Sequence, residues 1–151
     1  MAPEVKVIAL DTNLLIYAHR GGAPQSRRAQ RAIQLAAEHP EGWGYALASV
    51  AEFWCIVTHP SNEADVSTPQ QANEFLNSLR QAGARLFLPG NGFGERLTQL
   101  AADLEIQGPN IFDLVIALTV FESGAAEIWT HDAAFVSLPG LRVHNPLSGR
   151  S

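Results

Sequence analysis

The chain has 151 residues, enough for one domain that buries about two-thirds of the surface its unfolded form exposes. A composition 46% hydrophobic and 17% charged excludes intrinsic disorder and collagen-like repeats, and no run approaches the ~20 apolar residues of a membrane helix. The net charge of −5 excludes a protein that grips nucleic acid by bulk electrostatics alone. The N-terminus carries no basic region followed by an apolar core, so the reading is a soluble, cytoplasmic chain without a membrane partner. One domain is expected over residues 1–151, with its core at about 5–145. The single cysteine, Cys55, allows no internal disulfide, and its setting, Phe53-Trp54-Cys55-Ile56-Val57, predicts a buried thiol. Arg20, Arg27, Arg28 and Arg31 fall close together. They read first as a solvated helix face and second as a patch for phosphates or an acidic partner.

The run from Val5 to Leu10 is rich in Val, Ile and Leu and predicts a strand buried on both faces, ending on Asp11. Leu14 to His19 predicts a short helix broken at Gly21-Gly22-Ala23-Pro24. A second helix starts at Ser26 and runs to Glu38, with Ala29, Ile33, Ala36 and Ala37 at helical spacing. Trp43 to Leu47 reads as a strand. Ser49 followed three residues later by Glu52, ahead of an apolar run, is a capping-box signature that predicts a helix with Glu52 in its first turn. Thr68-Pro69-Gln70-Gln71 opens another helix with a cap and a proline at the first position, and Gly83 closes it. Arg85 to Leu88 is a third strand, and Gly94 to Glu105 a helix. Asn110 reads as the cap of the next helix, Ile111 to Glu122, which is nearly apolar all round; Asp113 falls in its first turn. Glu127 to Thr130 is a fourth strand running into His131-Asp132, and Leu141 to His144 a last one.

Strands alternating with helices imply right-handed crossovers and an α/β fold with a mainly parallel sheet flanked by helices. In such sheets ligands gather outside the carboxyl ends of the strands. Asp11 and Asp132 fall at strand ends, and Glu52 and Asp113 at helix starts on the same rim, so four carboxylates from distant segments converge. Taken singly they are caps or a surface charge. Together they repel one another, and the 0.3–1 kcal/mol that a helix amino terminus typically returns is too little for four like charges. A divalent cation is the natural neutraliser. Oxygen-only ligands without clustered Cys or His select a hard ion, Mg²⁺ or Mn²⁺.

These segments resemble the PIN-domain endoribonucleases, and within them the VapC-type toxins of bacterial toxin–antitoxin pairs. The matching motifs are Leu10-Asp11-Thr12-Asn13-Leu14-Leu15-Ile16, Glu52 on its helix, Asp113-Leu114-Val115-Ile116-Ala117, and Thr130-His131-Asp132-Ala133-Ala134-Phe135. Their order and spacing span essentially the whole chain. Ahead of Asp113 stands Asn110-Ile111-Phe112, where relatives vary widely. The resemblance implies a PIN-like three-layer fold of about five strands, with Asp11, Glu52, Asp113 and Asp132 as the acidic pocket for Mg²⁺ or Mn²⁺. It also implies Thr12, Asn13 and Thr130 as polar supports, an RNA substrate, a cognate antitoxin encoded elsewhere, and a homodimer.

On this reading Asp11 and Asp113 hold the principal metal for in-line hydrolysis that leaves a 5′-phosphate and a 3′-hydroxyl, and Glu52 and Asp132 complete the pocket. His131 is read as an exposed strand-end residue, and His19, His39, His59 and His144 as lacking catalytic partners. Trp43, Trp54 and Trp129 are read as core or dimer surface. A phosphatase of the haloacid-dehalogenase type would want a second Asp where Asn13 stands and a downstream Lys, whereas the one lysine is Lys6. A non-catalytic PIN-like binding module is the other alternative, although such a module need not keep four acids.

Overall fold

The computed structural model describes residues 7–61 and 65–148. Strand β1 (Val7–Leu10) is followed by helices α1 (Thr12–His19) and α2 (Ser26–Ala37), strand β2 (Trp43–Ala46), and helices α3 (Leu47–Val57) and α4 (Pro69–Gln81). Then come β3 (Arg85–Phe87), α5 (Phe93–Asp103), α6 (Asn110–Glu122), β4 (Ala125–Trp129) and β5 (Arg142–His144). Among the described residues the strands form one sheet in the order β3-β2-β1-β4-β5, and every pairing is parallel. Val5 and Lys6 lie outside the described residues.

All four residues of β1 are buried, as a central parallel strand requires. Its side chains alternate between two cores. Ile8 and Leu10 pack with Leu14, Leu15, Phe53, Val57 and Leu76 under α1 to α4, whereas Val7 and Ala9 pack with Leu114, Ala117, Val120 and Ile128 beneath α6. Leu97, Leu100 and Ala101 of α5 cover that second core. The architecture is therefore three-layered. A bidentate pair from Arg96 to Glu122, at 2.6 and 2.8 Å, ties the start of α5 to the end of α6 and makes these helices antiparallel.

The chain steps from β1 outward to β2 and β3, then returns to place β4 on the other side of β1. The strand order thus reverses between β1 and β4, the position at which open parallel sheets leave a crevice at their carboxyl ends.

Three local expectations differ. Helix α3 starts at Leu47 directly after β2, with Ala46 at the cap position and no side-chain cap. Ser49 is its third residue, fully buried, and Glu52 its sixth, in the second turn. Because β2 runs straight into α3, the turn geometry starts the helix before Ser49 can cap it. Asn110 is likewise inside α6, with Pro109 at the uncapped start, although Asp113 stays in the first turn. The box of Thr68 and Gln71 does form, in both directions. Cys55 is exposed rather than buried, since Phe53 and Val57 carry the inward face of α3. Of the basic residues, Arg27 and Arg31 lie exposed on α2, while Arg28 donates to the Leu147 carbonyl and Arg20 to that of Ile56.

Gly44 in β2 pairs with Arg85, and a Cβ there would collide with the Arg85 backbone carbonyl. Gly44→Ala is expected to lower the unfolding free energy by about 1–3 kcal/mol, the usual range for overpacking against atoms that cannot retreat. Urea denaturation checks this, and an unchanged midpoint would contradict the close approach of β2 and β3.

Candidate active site

Asp11 leaves β1 at the reversal point, where its backbone N–H donates to the Trp129 carbonyl of β4 at 2.9 Å. It caps α1, as one reading of the sequence had it, but with unusual company. Oδ1 accepts from the Thr12 N–H at 2.8 Å and Oδ2 from the Thr130 hydroxyl at 2.7 Å. The residue is only 7% exposed. Burial raises its pKa from 3.8 to about 6; the two hydrogen bonds oppose that rise, and the carboxylates of Asp113 and Glu52 add to it.

Thr130 follows β4 and is itself buried. Its oxygen accepts from Asn13 Nδ2 at 3.0 Å and from the Asp132 N–H at 3.1 Å. A hydroxyl has two lone pairs, so both are taken and its hydrogen is committed to Asp11. Asn13 closes the ring by accepting the His131 N–H on Oδ1 at 3.2 Å. Thr12, Asn13 and Thr130, read as supports from the resemblance, are thus bonded to or adjacent to Asp11. No spacing rule would have found Thr130, because Asp11 and Asn13 lie over 100 residues away.

Asp113 sits in the first turn of α6, half-buried, with Oδ2 accepting from the Val136 N–H at 3.1 Å. Burial lifts its pKa above the usual carboxylate value; the Val136 bond works against this, and the charges of Asp132 and Glu52 reinforce it. Asp132 accepts from the Ala134 N–H at 2.9 Å, and Glu52 is exposed on α3. All four acids therefore share one electrostatic field. The charges acting on Asp11 and Asp113 are all carboxylates. Two buried hydroxyls, Thr12 Oγ1 beside Asp11 and Ser49 Oγ one turn before Glu52, have no protein partner.

Among the described residues no three Asp, Glu, His or Cys side chains close into a ready coordination sphere. That arrangement still fits a hard, water-retaining ion such as Mg²⁺, which takes one or two carboxylates and keeps several waters. The unpartnered hydroxyls are the kind of group that such waters satisfy. A cavity of about 540 Å³ lies elsewhere, at the other end of α1, lined by His19, Arg20, Ser67, Gln71 and Glu74 and by none of the four acids. There His19 shares a 2.7 Å hydrogen bond with Ser67. Trp43 and Trp129 are core residues, and Trp54 is partly exposed.

A family model described as PIN domain matches residues 8–141. The chain belongs to the PIN-domain family. Two curated PIN-domain-sized relatives of Mycobacterium tuberculosis are similar along nearly their whole length. Ribonuclease VapC43 is 27% identical over 146 residues, covering 96% of this chain and 99% of its own, and ribonuclease VapC48 is 27% identical, covering 92% and 97%. Among solved structures, VapBC2 from Rickettsia felis, bound to a promoter DNA fragment, superposes with a TM-score of 0.65 at 19% identity, covering 92% of this chain and 98% of that one. VapC20 of Mycobacterium tuberculosis, a toxin that cleaves the sarcin–ricin loop, gives 0.62 at 16% identity, covering 85% and 92%. These superpositions establish the PIN fold.

The ring of bonds around Thr130 gives a direct test. Thr130→Val strips Asp11 of a donor and leaves Asn13 Nδ2 and the Asp132 N–H without an acceptor; it is expected to destabilise by about 1–3 kcal/mol per orphaned group, discounted by the water that reaches Asp132. Thr130→Ser keeps the hydroxyl and should lie within about 1 kcal/mol of wild type. A loss in Thr130→Ser with none in Thr130→Val would show that the methyl group, not the hydroxyl, matters.

The pH dependence has a definite sign. A carboxyl whose folded pKa lies above its unfolded value binds more protons when folded, so its contribution to stability is fully present below pH 3.8 and is lost as pH rises through about 6. In EDTA, lowering the pH from 7 to 5 should stabilise wild type by about 1 kcal/mol relative to Asp11→Asn, the difference cancelling other titrating groups. Urea titrations of both proteins at the two pH values measure it, and parallel behaviour would refute the buried, charged Asp11.

Proposed function

We propose that this chain is a metal-dependent endoribonuclease, the cytoplasmic toxin of a toxin–antitoxin pair. The observation that carries the reading is the convergence of Asp11, Glu52, Asp113 and Asp132 on the reversal point of the sheet, in a PIN domain whose near full-length relatives are named ribonucleases. The DNA-bound VapBC2 structure that shares the fold supports a cognate antitoxin as partner, and a homodimer is proposed with it.

Asp11 and Asp113 would hold Mg²⁺ or Mn²⁺, with Glu52 and Asp132 completing the pocket through outer-shell water or a second ion. When bound, the ion supplies charge to the scissile phosphate and lowers the pKa of water. The remaining work belongs to the chain. The Thr130 hydroxyl and Thr12 N–H favour ionised Asp11 and fix both its oxygens. The Val136 N–H does the same for one oxygen of Asp113, leaving the other free. Exposed Glu52 and Asp132, each a carboxylate at the edge of the pocket, are placed to orient the attacking water and take its proton. In-line attack on phosphorus with departure of the 3′ oxygen leaves a 5′-phosphate and a 3′-hydroxyl. In a non-catalytic binding module these charges would serve no step, and only cleavage separates that alternative from the nuclease.

Asp113→Asn is the cleanest probe, since its amide oxygen can still accept from Val136. In Asp11→Asn, by contrast, the new NH₂ faces a Thr130 oxygen whose lone pairs are filled. Purified, antitoxin-free protein incubated with a mixed RNA pool should give discrete 5′-phosphate fragments with Mg²⁺ or Mn²⁺ and none with EDTA. Asp113→Asn should lose at least the roughly 10–100-fold that removing a supporting partner of a metal ligand costs, while keeping its cooperative unfolding. Cleavage that persists in EDTA or in folded Asp113→Asn would overturn the assignment.

A further inference from the structure

Phe112 stands immediately before Asp113 in the first turn of α6 and is 68% exposed, more than any other large hydrophobic described. The next residues of the helix are built for burial: Leu114, Ile116, Ala117, Leu118 and Val120 all face the core. A ring left so far in water contributes little to folding, and the packing gives it no role.

Its position is specific. Side chains of a helix lean toward its amino terminus, and the amino terminus of α6 is the end that brings Asp113 beside Glu52 and Asp132. Phe112 is one residue from Asp113, about 1.5 Å along the axis and 100° around it. Phe112 is therefore an exposed aromatic residue at the same helix end as the acid Asp113.

The charge balance says what that group needs. The charges that act on Asp11 and Asp113 are all carboxylates. A polyanion at this rim meets repulsion, which a bound divalent ion offsets only at the phosphate it touches. Nucleobases offer a contact that is blind to this field. Every base has a flat π-face, and stacking on an exposed aromatic ring tolerates any sequence.

We infer that Phe112 is a substrate-positioning residue, a platform on which a base flanking the scissile phosphate of a single-stranded RNA stacks. This rests on the endoribonuclease reading above and adds to it a residue that holds the substrate. A duplex, whose bases are already stacked, would gain nothing from the ring.

The test compares wild type with Phe112→Ala, Phe112→Leu and Phe112→Tyr on a fluorescein-labelled, mixed-sequence oligoribonucleotide pool, with a duplex of the same length alongside. Phe112→Ala is expected to lose about ten-fold in kcat/KM on the single strand, carried by KM, as removal of one base stack predicts. Phe112→Leu should resemble Ala, and Phe112→Tyr wild type. Anisotropy of the same pool with Ca²⁺ in place of Mg²⁺ reads the stack without turnover, so a protein that binds through Phe112 but does not cut would separate failure of the nuclease reading from failure of this one. Recovery of activity by Leu, or unchanged binding by Phe112→Ala, would overturn the platform. A halved solution mass for Phe112→Ala with unchanged kcat/KM would assign the ring to contact with a second copy instead.

Discussion

The hydrogen bond from Thr130 to Asp11 is the contact on which the rim depends. It crosses from the end of β4 to the end of β1, the two strands between which the sheet order reverses. Two further groups are organised around the same hydroxyl. Asn13 and the Asp132 backbone fill the remaining capacity of the hydroxyl, and Asn13 in turn anchors the His131 backbone. One oxygen atom thus sets a carboxylate, an amide and the turn that carries a second carboxylate. A site assembled this way needs no loop of its own. Asp11 and Asp132 stand just past strand ends whose spacing the parallel ladder already enforces, with Asp11 N–H continuing the ladder to the Trp129 carbonyl.

Much of this architecture was legible in the residues. The alternation of apolar runs with helical periodicities carried the order of elements, because burial on both faces of β1 and on one face of α2 and α4 leaves period-specific traces. Leu10-Asp11 marked a strand that stops on an acid, and the same logic placed Asp132 beyond β4. What sequence patterns could not carry was the local start of α3. Ser49 and Glu52 satisfy the capping rule in isolation, but β2 feeds directly into the helix at Leu47, so tertiary position overrides the local signal and turns a supposed cap into a buried hydroxyl. Cys55 failed for a related reason. Its neighbours are uniformly apolar, so composition could not say which side of α3 faces the core; only the pairing of Phe53 and Val57 with β1 and α1 decides that.

Asp113 and Glu52 show how a partly wrong local reading can still bring together residues that lie near one another in the fold. Neither helix has the expected side-chain cap, and Glu52 lies a turn deeper than predicted. Both acids nevertheless act electrostatically on the same centre, since the rim is defined by strand ends and not by caps. The Thr130 network, by contrast, was visible only through family resemblance. Hydrogen bonds between positions 13, 11 and 130 leave no periodic trace in a single chain.

The same physics that makes the site useful makes it costly. A carboxylate buried to the degree of Asp11, facing other acids with no cation from the chain, is held in an environment that favours its protonated form, while the donors Thr130 and Thr12 hold it ready as an acceptor. These opposed demands cannot both be relaxed by repacking, because removing the donors would neutralise Asp11 and removing the burial would open the centre to water. They can be reconciled by a ligand that brings positive charge. Any divalent ion that binds the folded rim and not the unfolded chain would then add to stability by mass action, in proportion to the logarithm of its concentration over its dissociation constant. On that view the cost of burying Asp11 is what the proposed metal would offset.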